Sequence, residues 1–346
     1  MSHATLPPTA AAAASPQAAG NLKLYELQKP FVEPMLRLCR IGNTALDALF
    51  YDVGALSTTL WAQHTIVNTE ALNADRPWRT LDLSAATNPS GSIIIVDAGV
   101  PGSVGQTFPD MQQFIDHANG AASAALRTLT ITGVGSSAYG AVAFAWDVSK
   151  AIGAPVAAVV PGYGLADVVP QALGGWFGFG VYDAMQSATQ NFLATFAPTL
   201  AMMGKELARS TRHRIPAATG APVFRHGSAA SDDVHAILEA VPGIARLVGH
   251  SKGALAIENA LRSLPSSRAN GLSVVTLGCV IAEELPRVRY DQYLGWLDSL
   301  GTLNSWNRKP EHRAVTHHST NSAIPLSMPV VSYVVESGQA GLTAGA

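Results

Sequence analysis

Gly249-His250-Ser251-Lys252-Gly253 is the stretch of sequence that decides the fold. It follows an apolar run at residues 244–248 and precedes a helix-type run at residues 254–264, so the predicted local order is strand, sharp turn and helix. The two glycines leave room for a strained turn, because neither carries a Cβ atom that would collide with the backbone. Such a turn lifts the Ser251 hydroxyl clear of a sheet, which makes Ser251 a candidate nucleophile.

The composition of the 346-residue chain favours a large apolar core and a weakly charged surface. Hydrophobic residues make up 48% of the chain and charged residues 13%, which is about half the usual share of charge. A net charge of -2 argues against a nucleic-acid partner, because such a partner requires a basic face. Weak charge repulsion instead favours a homo-oligomer, or contact with a lipid or granule surface.

The two cysteines, Cys39 and Cys279, lie in helix-type and buried-strand contexts, and no cluster of metal ligands surrounds them. We therefore interpret both as core thiols and expect neither a metal nor a cofactor. Residues 1–21 are rich in alanine and proline without the basic and apolar regions of a signal peptide, which predicts a disordered tail. No run of about 18 apolar residues occurs, so the expected location is the cytoplasm, with association at a lipid or granule surface left open.

Residues 22–80 predict an N-terminal helical extension, because their apolar residues recur at helical spacing. Two interpretations fit this stretch. It packs on the main domain, or it is an amphipathic region that docks on a lipid or polyester surface. The clearest apolar stripe consists of Leu46, Leu49, Val53, Leu56 and Leu60.

A second strand, turn and helix pattern, at residues 129–150, offers Ser137 as an alternative nucleophile. Tyr139 stands where the second glycine of such a turn is needed, and its Cβ atom would crowd the close approach of helix and strand. We therefore favour an ordinary parallel crossover in which Gly135 and Ser136 form the turn and the helix cap.

Residues 165–230 interrupt the alternation of strands and helices, and their composition predicts a helical cap insertion. Such a cap closes over an apolar acyl substrate and excludes water, although a helical layer that only covers the sheet has the same composition. Its apolar stripe consists of Phe192, Phe196, Leu200, Met203 and Leu207.

A serine nucleophile needs a base within hydrogen-bond reach and an acid that orients this base. Asp298 follows a predicted strand at residues 293–297 and precedes a turn, which favours it as the acid. The alternatives for the acid are Asp291, Glu283 and Glu284.

Three histidines follow Ser251 and compete for the role of the base, namely His312, His317 and His318. We favour His318 narrowly over His317, since both lie in a polar loop before an extended segment predicted at residues 325–335. Adjacent histidines can also bind a metal, but no cysteine or carboxylate with ligand spacing accompanies this pair.

From about residue 92 to residue 335 the chain resembles an α/β-hydrolase with an inserted cap, of the lipase, esterase and depolymerase kind. The elbow around Ser251 carries this resemblance, and the sequence order Ser251, Asp298, His318 is that of the family. The loop Ala98-Gly99-Val100-Pro101-Gly102-Ser103 is similar to the family's His-Gly-Phe-Pro-Gly-Ser loop, with Ala98 in the place of the histidine.

The resemblance implies an α/β fold in which helices flank a mostly parallel sheet, with the domain at residues 90–335 and a flexible C-terminus at residues 336–346. It also implies a serine hydrolase that cleaves a carboxylic ester or thioester with an apolar acyl group through an acyl-enzyme. The backbone N-H groups of Lys252 and Val100 would then hold the oxyanion. The Lys252 side chain would pair with a carboxylate, attract an acidic substrate or reach solvent. The alternative is a non-catalytic protein of the same fold that binds lipid or polyester-granule surfaces.

Overall fold

The structure is a computed structural model of the chain, and it describes residues 47–56, 92–100, 106–108, 111–120, 123, 125–133, 136–161, 229–262, 264–281, 284–305 and 308–343. These ranges contain most of the domain predicted at residues 90–335. The predicted tail, Cys39, the predicted cap up to residue 228 and all of the predicted extension except residues 47–56 lie outside the described residues.

An eight-stranded mixed sheet lies at the centre of the described residues, with the strand order β2-β1-β4-β3-β5-β6-β7-β8. From β4 to β8 all neighbouring strands are parallel, whereas β1 is antiparallel to both β4 and β2. The strands are β1 (Ile93–Val96), β2 (Thr107–Phe108), β3 (Thr128–Ile131), β4 (Val156–Val159), β5 (Arg246–His250), β6 (Ser273–Leu277), β7 (Arg289–Gly295) and β8 (His312–Ala314).

Helices flank the sheet, which confirms the predicted α/β fold with a mostly parallel sheet. None of the helices in the described ranges is long and apolar enough to cross a membrane. The helices are α1 (Met111–Ala118), α2 (Ala138–Ile152), α3 (Ala229–Ala240), α4 (Lys252–Arg262), α5 (Ser266–Ala269), α6 (Ser299–Asn304) and α7 (Val330–Thr343).

The apolar core lies in two clusters, one on each face of the sheet, because successive residues of a strand point to opposite faces. In β5, Leu247 belongs to the first cluster and Val248 to the second. The first cluster includes residues of α3 and α4, and the second includes residues of α2 and α7. Both faces of the central strands are therefore buried, as parallel sheets require.

The C-terminal segment differs from its prediction. The sequence favoured an extended run at residues 325–335 and a flexible end from residue 336, but the structure forms helix α7 directly after Pro329. The extended run is therefore wrong from residue 330 onward. Val330, Tyr333, Val334 and Ser337 are buried at the spacing of one helical face, and this periodicity outweighs the flanking prolines that suggested an extended segment.

Candidate active site

Ser251 occupies a strained turn between β5 and α4. Its φ angle of 53° lies in the left-handed region that side-chain-bearing residues rarely adopt. A Cβ atom on Gly249 would lie 2.8 Å from the backbone of Ala254, and one on Gly253 would collide with the carbonyl oxygens of Ile131 and Thr132. Both glycines of the motif are therefore required for the close packing of helix α4 against β5 and β3.

A hydrogen-bonded chain of three side chains starts at Ser251. Its Oγ atom lies 2.8 Å from Nε2 of His318, and Nδ1 of His318 lies 2.9 Å from each carboxylate oxygen of Asp298. Ser251, Asp298 and His318 follow β5, β7 and β8, so they meet at the carboxyl edge of the parallel strands. All three are buried, with Asp298 only 1% exposed.

Backbone groups hold Asp298 in place. The N-H of Gly301 donates to Oδ1 of Asp298 over 2.5 Å. Gly278 has a φ angle of 67°, and a Cβ atom there would lie 3.0 Å from Nδ1 of His318 and 3.2 Å from Oδ2 of Asp298. A glycine at position 278 thus lets the main chain approach the His318–Asp298 pair closely.

The alternative acids are engaged elsewhere or fall outside the described residues. Asp291 lies in the amino half of β7, where its Oδ2 atom is 3.2 Å from Nε of Arg289. Glu284 accepts a 2.8 Å hydrogen bond from Nε2 of Gln292, and Glu283 is not among the described residues. Asp298 is therefore the acid that the structure brings to His318.

The alternative histidines have other contacts. Nε2 of His317 lies 2.9 Å from the carbonyl oxygen of Pro325, and the N-H of Ser319 donates to its Nδ1 atom over 3.1 Å. The ring of His312 stacks on Tyr293 with 4.5 Å between the centroids. Both ring nitrogens of His317 are thus bonded to the backbone, and His318 is the histidine that contacts Ser251.

A buried hydrogen-bonded network behind Ser251 was not predicted. The N-H of Gly133 lies 2.9 Å from the hydroxyl of Tyr51, which lies 2.9 Å from Nδ1 of His250. Nε2 of His250 lies 2.9 Å from the carbonyl oxygen of His318. Each donor has one acceptor if the Tyr51 hydroxyl donates to Nδ1 and the Nε2-H of His250 donates to the carbonyl. His250 is the variable position of the elbow motif, so the motif gives no signal for this role.

Burial keeps both groups of this network uncharged. Removal from water, followed by the nearby charge of His318, lowers the pKa of His250 to about 3. Burial likewise raises the pKa of the Tyr51 hydroxyl above its usual range. The network therefore holds one tautomer of neutral His250 throughout the physiological range of pH.

Residues 47–56 pack against the loop that carries His318, in agreement with the first interpretation of the N-terminal stretch. The hydroxyl of Ser319 donates to the carbonyl of Leu49 over 2.7 Å, and both the N-H and the hydroxyl of Thr320 donate to the carbonyl of Phe50. The ring of Phe50 meets the His318 ring edge-on, with 6.0 Å between centroids. This short segment therefore supports the position of His318.

The prediction that Val100 donates to an oxyanion beside Ser251 is wrong. Because β1 is antiparallel to β4, Val96 pairs with Val156 at the amino end of β4. The N-H of Ala98 donates to the Ser149 hydroxyl near the end of α2, which fixes the following residues at the same edge. Val100 thus lies at the edge of the sheet opposite to Ser251.

The turn after β3 lies against Ser251 instead. A Cβ atom on Gly133 would be 3.4 Å from Cβ of Ser251 and 3.7 Å from its Oγ atom. The N-H of Gly133 is donated to Tyr51, and the next two residues, Val134 and Gly135, lie outside the described residues. Gly133, two residues after the end of β3, is therefore the described backbone that faces Ser251.

Ser137, the alternative nucleophile, is the N-cap of helix α2. Its φ angle of -74° is unstrained, and its hydroxyl accepts a 3.2 Å hydrogen bond from the N-H of Tyr139. Its own N-H donates to Asp47 over 2.7 Å, and burial raises the pKa of this carboxyl to about 6. The crossover predicted here is confirmed, with Ser137 rather than Ser136 as the cap.

Lys252 and a group of potential metal ligands are two further charged features of the described residues. Lys252 is 6% exposed and its ammonium is buried, which excludes one of the three alternatives for its side chain, that it reaches solvent. Asp291, Glu311 and His312 form one group of potential metal ligands within the described residues. In this group, the carboxylate of Asp291 pairs with Arg289, and that of Glu311 accepts the N-H of Gln292.

Comparison of the chain with protein-family models, curated proteins and solved structures finds no match in any of the three. The link to α/β-hydrolases is therefore the resemblance carried by the elbow and by the sequence order of Ser251, Asp298 and His318.

Proposed function

We propose that the protein is a serine hydrolase of the α/β-hydrolase type, which cleaves a carboxylic ester or thioester with an apolar acyl group. The observation that carries this proposal is the chain of hydrogen bonds from Ser251 through His318 to Asp298. A serine hydrolase needs a nucleophile, a general base and an acid that orients this base. Here the nucleophile is a serine in a left-handed turn, the base is a histidine at its hydroxyl, and the acid is buried behind that histidine.

In the first step His318 acts as a general base. Nε2 accepts the proton of Ser251 as Oγ attacks the carbonyl carbon of the substrate, and the carbonyl oxygen becomes an oxyanion. Asp298 accepts the Nδ1-H of His318, so it holds the tautomer in which Nε2 is free to take the proton and stabilises the imidazolium that forms.

Backbone amides stabilise the oxyanion. The first donor is the N-H of Lys252, the residue after the nucleophile, which lies at the N-terminus of helix α4, where the helix dipole favours negative charge. Val100 lies at the opposite edge of the sheet and does not supply a second donor.

Two transfers complete the reaction. The imidazolium of His318 gives its proton to the departing alcohol or thiol, and the acyl group remains bound to Oγ of Ser251. A water molecule then loses a proton to Nε2 and attacks the acyl carbon, which releases the carboxylic acid and restores the serine.

The order of the site along the sheet supports the hydrolase type of fold. The nucleophile follows β5, the acid follows β7 and the histidine follows β8, in the sequence order Ser, Asp, His that α/β-hydrolases use. Neighbouring parallel strands bring these three positions to one edge of the sheet, where open α/β sheets bind their ligands.

Exposed apolar side chains on the same loops support an apolar acyl group. Trp296 and Leu297, which are 64% and 54% exposed, immediately precede Asp298. Their N-H groups donate to the carbonyls of Ala314 and Thr316, so they lie beside the loop that carries His318. Val315 and Leu326 on that loop are exposed as well.

A reactive phosphonate tests the nucleophile directly. Labelling by a fluorophosphonate and hydrolysis of p-nitrophenyl esters should both disappear in Ser251→Ala. The matched control is Ser137→Ala, which loses a helix cap at a cost of about 1 kcal/mol and should keep both activities. Labelling that persists in Ser251→Ala and disappears in Ser137→Ala would transfer the role to Ser137.

The exposed apolar residues also favour a second candidate, a non-catalytic protein that binds lipid or polyester-granule surfaces. Co-sedimentation with liposomes or polyester particles separates the two functions. A wild-type protein that binds the particles without reacting with the phosphonate or the ester would support the surface-binding protein and contradict the hydrolase.

A further inference from the structure

A cavity lies at the edge of the sheet opposite to Ser251. It has a volume of about 470 Å³ and is lined by the amino ends of β3, β5, β6 and β7. This volume is in the range of small-molecule sites, roughly 300–1,000 Å³. Its most prominent lining residues are four arginines, namely Arg127, Arg246, Arg287 and Arg289.

The register of the sheet places two of these arginines on one face. Arg246 pairs with Ser273, and Ser273 pairs with Arg289, so the side chains of all three residues lie on the same face. The guanidinium of Arg289 donates to the hydroxyl of Ser273 over 3.1 Å and to the carbonyl of Ser337 over 2.5 Å. Two hydrogen bonds thus hold the Arg289 side chain in place in the lining of the cavity.

A tight turn brings in a third arginine. Arg287 has a φ angle of 69°, and its carbonyl accepts a 3.2 Å hydrogen bond from the N-H of Gly271, another lining residue. Arg127 lies directly before β3, and its carbonyl accepts the N-H groups of Ala245 and Arg246. All four arginines therefore sit on backbone that is fixed by the sheet or by its turns.

The lining carries a large local excess of positive charge. The residues that line the cavity in the described part of the chain include four arginines and no carboxylate. Asp291, at 3.2 Å from Arg289, offsets one of these charges. Burial and the neighbouring charge of Arg289 lower the pKa of Arg246, as expected when like charges are held close together. A protein with a net charge of -2 thus concentrates unbalanced positive charge at one cavity.

We propose that this cavity binds a small phosphate-bearing anion. Phosphate oxygens match the planar fork of arginine, and several arginines around one site can contact the same group from different sides. The Ser273 hydroxyl and the turn at Gly271 add polar groups beside them. This binding is independent of the proposed hydrolase activity, because Ser251 lies at the opposite edge of the sheet.

Titration with inorganic pyrophosphate tests the site by calorimetry at low ionic strength. Wild-type protein should bind the anion, and higher salt should weaken the binding. Arg246→Gln and Arg287→Gln should each reduce the affinity roughly tenfold or more, because each removes a hydrogen bond between charged groups. Arg287 is exposed, so its variant tests the site without disturbing the core.

The matched control is Arg313→Gln, which removes the same charge from β8, where the Arg313 guanidinium lies 4.4 Å from the ring of Trp296. It should keep the wild-type affinity. An equal loss of affinity in Arg313→Gln would mean that only the total charge matters, and the proposal would be wrong.

The phosphate group could belong to a lipid headgroup or to a soluble phosphate compound. Flotation with vesicles distinguishes these two sources. Vesicles of phosphatidylcholine with phosphatidic acid are compared with vesicles of phosphatidylcholine alone. Binding that requires phosphatidic acid and is lost in Arg287→Gln would assign the site to a headgroup, while pyrophosphate binding without vesicle binding would assign it to a soluble anion. A wild-type protein that binds neither overturns the proposal.

Discussion

Nε2 of His250 lies 2.9 Å from the carbonyl oxygen of His318, so the residue before Ser251 is bonded to the residue whose ring contacts Ser251. The two histidine rings are also close, with 4.9 Å between their centroids. The strand that presents the serine and the loop that presents the histidine are thus joined by a buried contact. The geometry between Ser251 and His318 depends on His250 and, through it, on Tyr51.

Tyr51→Phe should lower the turnover number more than its effect on stability explains. The variant leaves the N-H of Gly133 and Nδ1 of His250 buried without the hydroxyl, at a cost of about 1–3 kcal/mol for each group. We expect kcat for ester hydrolysis to fall roughly tenfold with little change in KM, because a small misplacement of His318 affects the chemical step. Steady-state kinetics and chemical denaturation measure the two effects.

Tyr290→Phe is the control for this experiment. The Tyr290 hydroxyl accepts the N-H of Leu285 over 3.0 Å, so the variant loses the same kind of contact away from Ser251. It should lose stability and keep kcat. Equal kcat values for Tyr51→Phe and wild type would contradict a positioning role of the network.

The free energy of unfolding should depend on pH through His250. Its pKa is about 3 in the folded protein against 6.5 ordinarily, so between these values the unfolded chain binds more protons than the folded protein. The stability that His250 contributes is therefore complete above pH 6.5 and is lost as the pH falls toward 3. The loss amounts to about 2 kcal/mol between pH 6.5 and pH 5.

His250→Gln removes this titration. The difference in the free energy of unfolding between wild type and His250→Gln should narrow by about 2 kcal/mol as the pH falls from 6.5 to 5. Urea denaturation at several pH values measures this difference. Parallel pH profiles of the two proteins would show that His250 titrates normally in the folded state.

Asp298→Asn should abolish most of the activity and preserve the fold. The amide oxygen can still accept the N-H of Gly301, but the amide group no longer holds the His318 tautomer in which Nε2 accepts a proton. We expect kcat to fall roughly 10⁴-fold. Asp291→Asn tests the alternative acid and should change kcat by a few-fold at most. A large fall in kcat for Asp291→Asn together with a small change for Asp298→Asn would assign the role of the acid to Asp291.

Gly253→Ala should destabilise the protein by about 2 kcal/mol or more, because the added Cβ atom collides with main-chain carbonyls of β3 that cannot move aside. Gly243→Ala is the matched control, since the nearest atom to its Cβ position is at an ordinary distance of 3.7 Å. Thermal denaturation of both variants measures the difference. Similar melting temperatures would mean that α4 does not pack against β3 as closely as the structure places it.

The sequence predicts those features of the site that depend on local pattern or on chain order. The elbow at Ser251 is a local pattern, because its glycines and flanking apolar runs are contiguous. Asp298 is predicted by its place after a predicted strand, and His318 by the sequence order of nucleophile, acid and histidine.

The features that depend on long-range pairing were missed or wrong. The direction of β1 beside β4 decides where Val100 lies, and nothing in the residues around Val100 encodes that direction. The contacts of Tyr51 with His250 and Gly133 join distant parts of the chain, so no motif contains them.

The pairing of residues 47–56 with the His318 loop also orders events during protein synthesis. The carbonyls of Leu49 and Phe50 receive hydrogen bonds from Ser319 and Thr320, which are translated 270 residues later. At about 5–20 residues per second, the early segment waits roughly 15–50 s for these partners. A nascent chain that stops before residue 318 can build most of the sheet and still lacks both the histidine and the contacts that hold it. The site is therefore completed only after residues 318–320 have been synthesised.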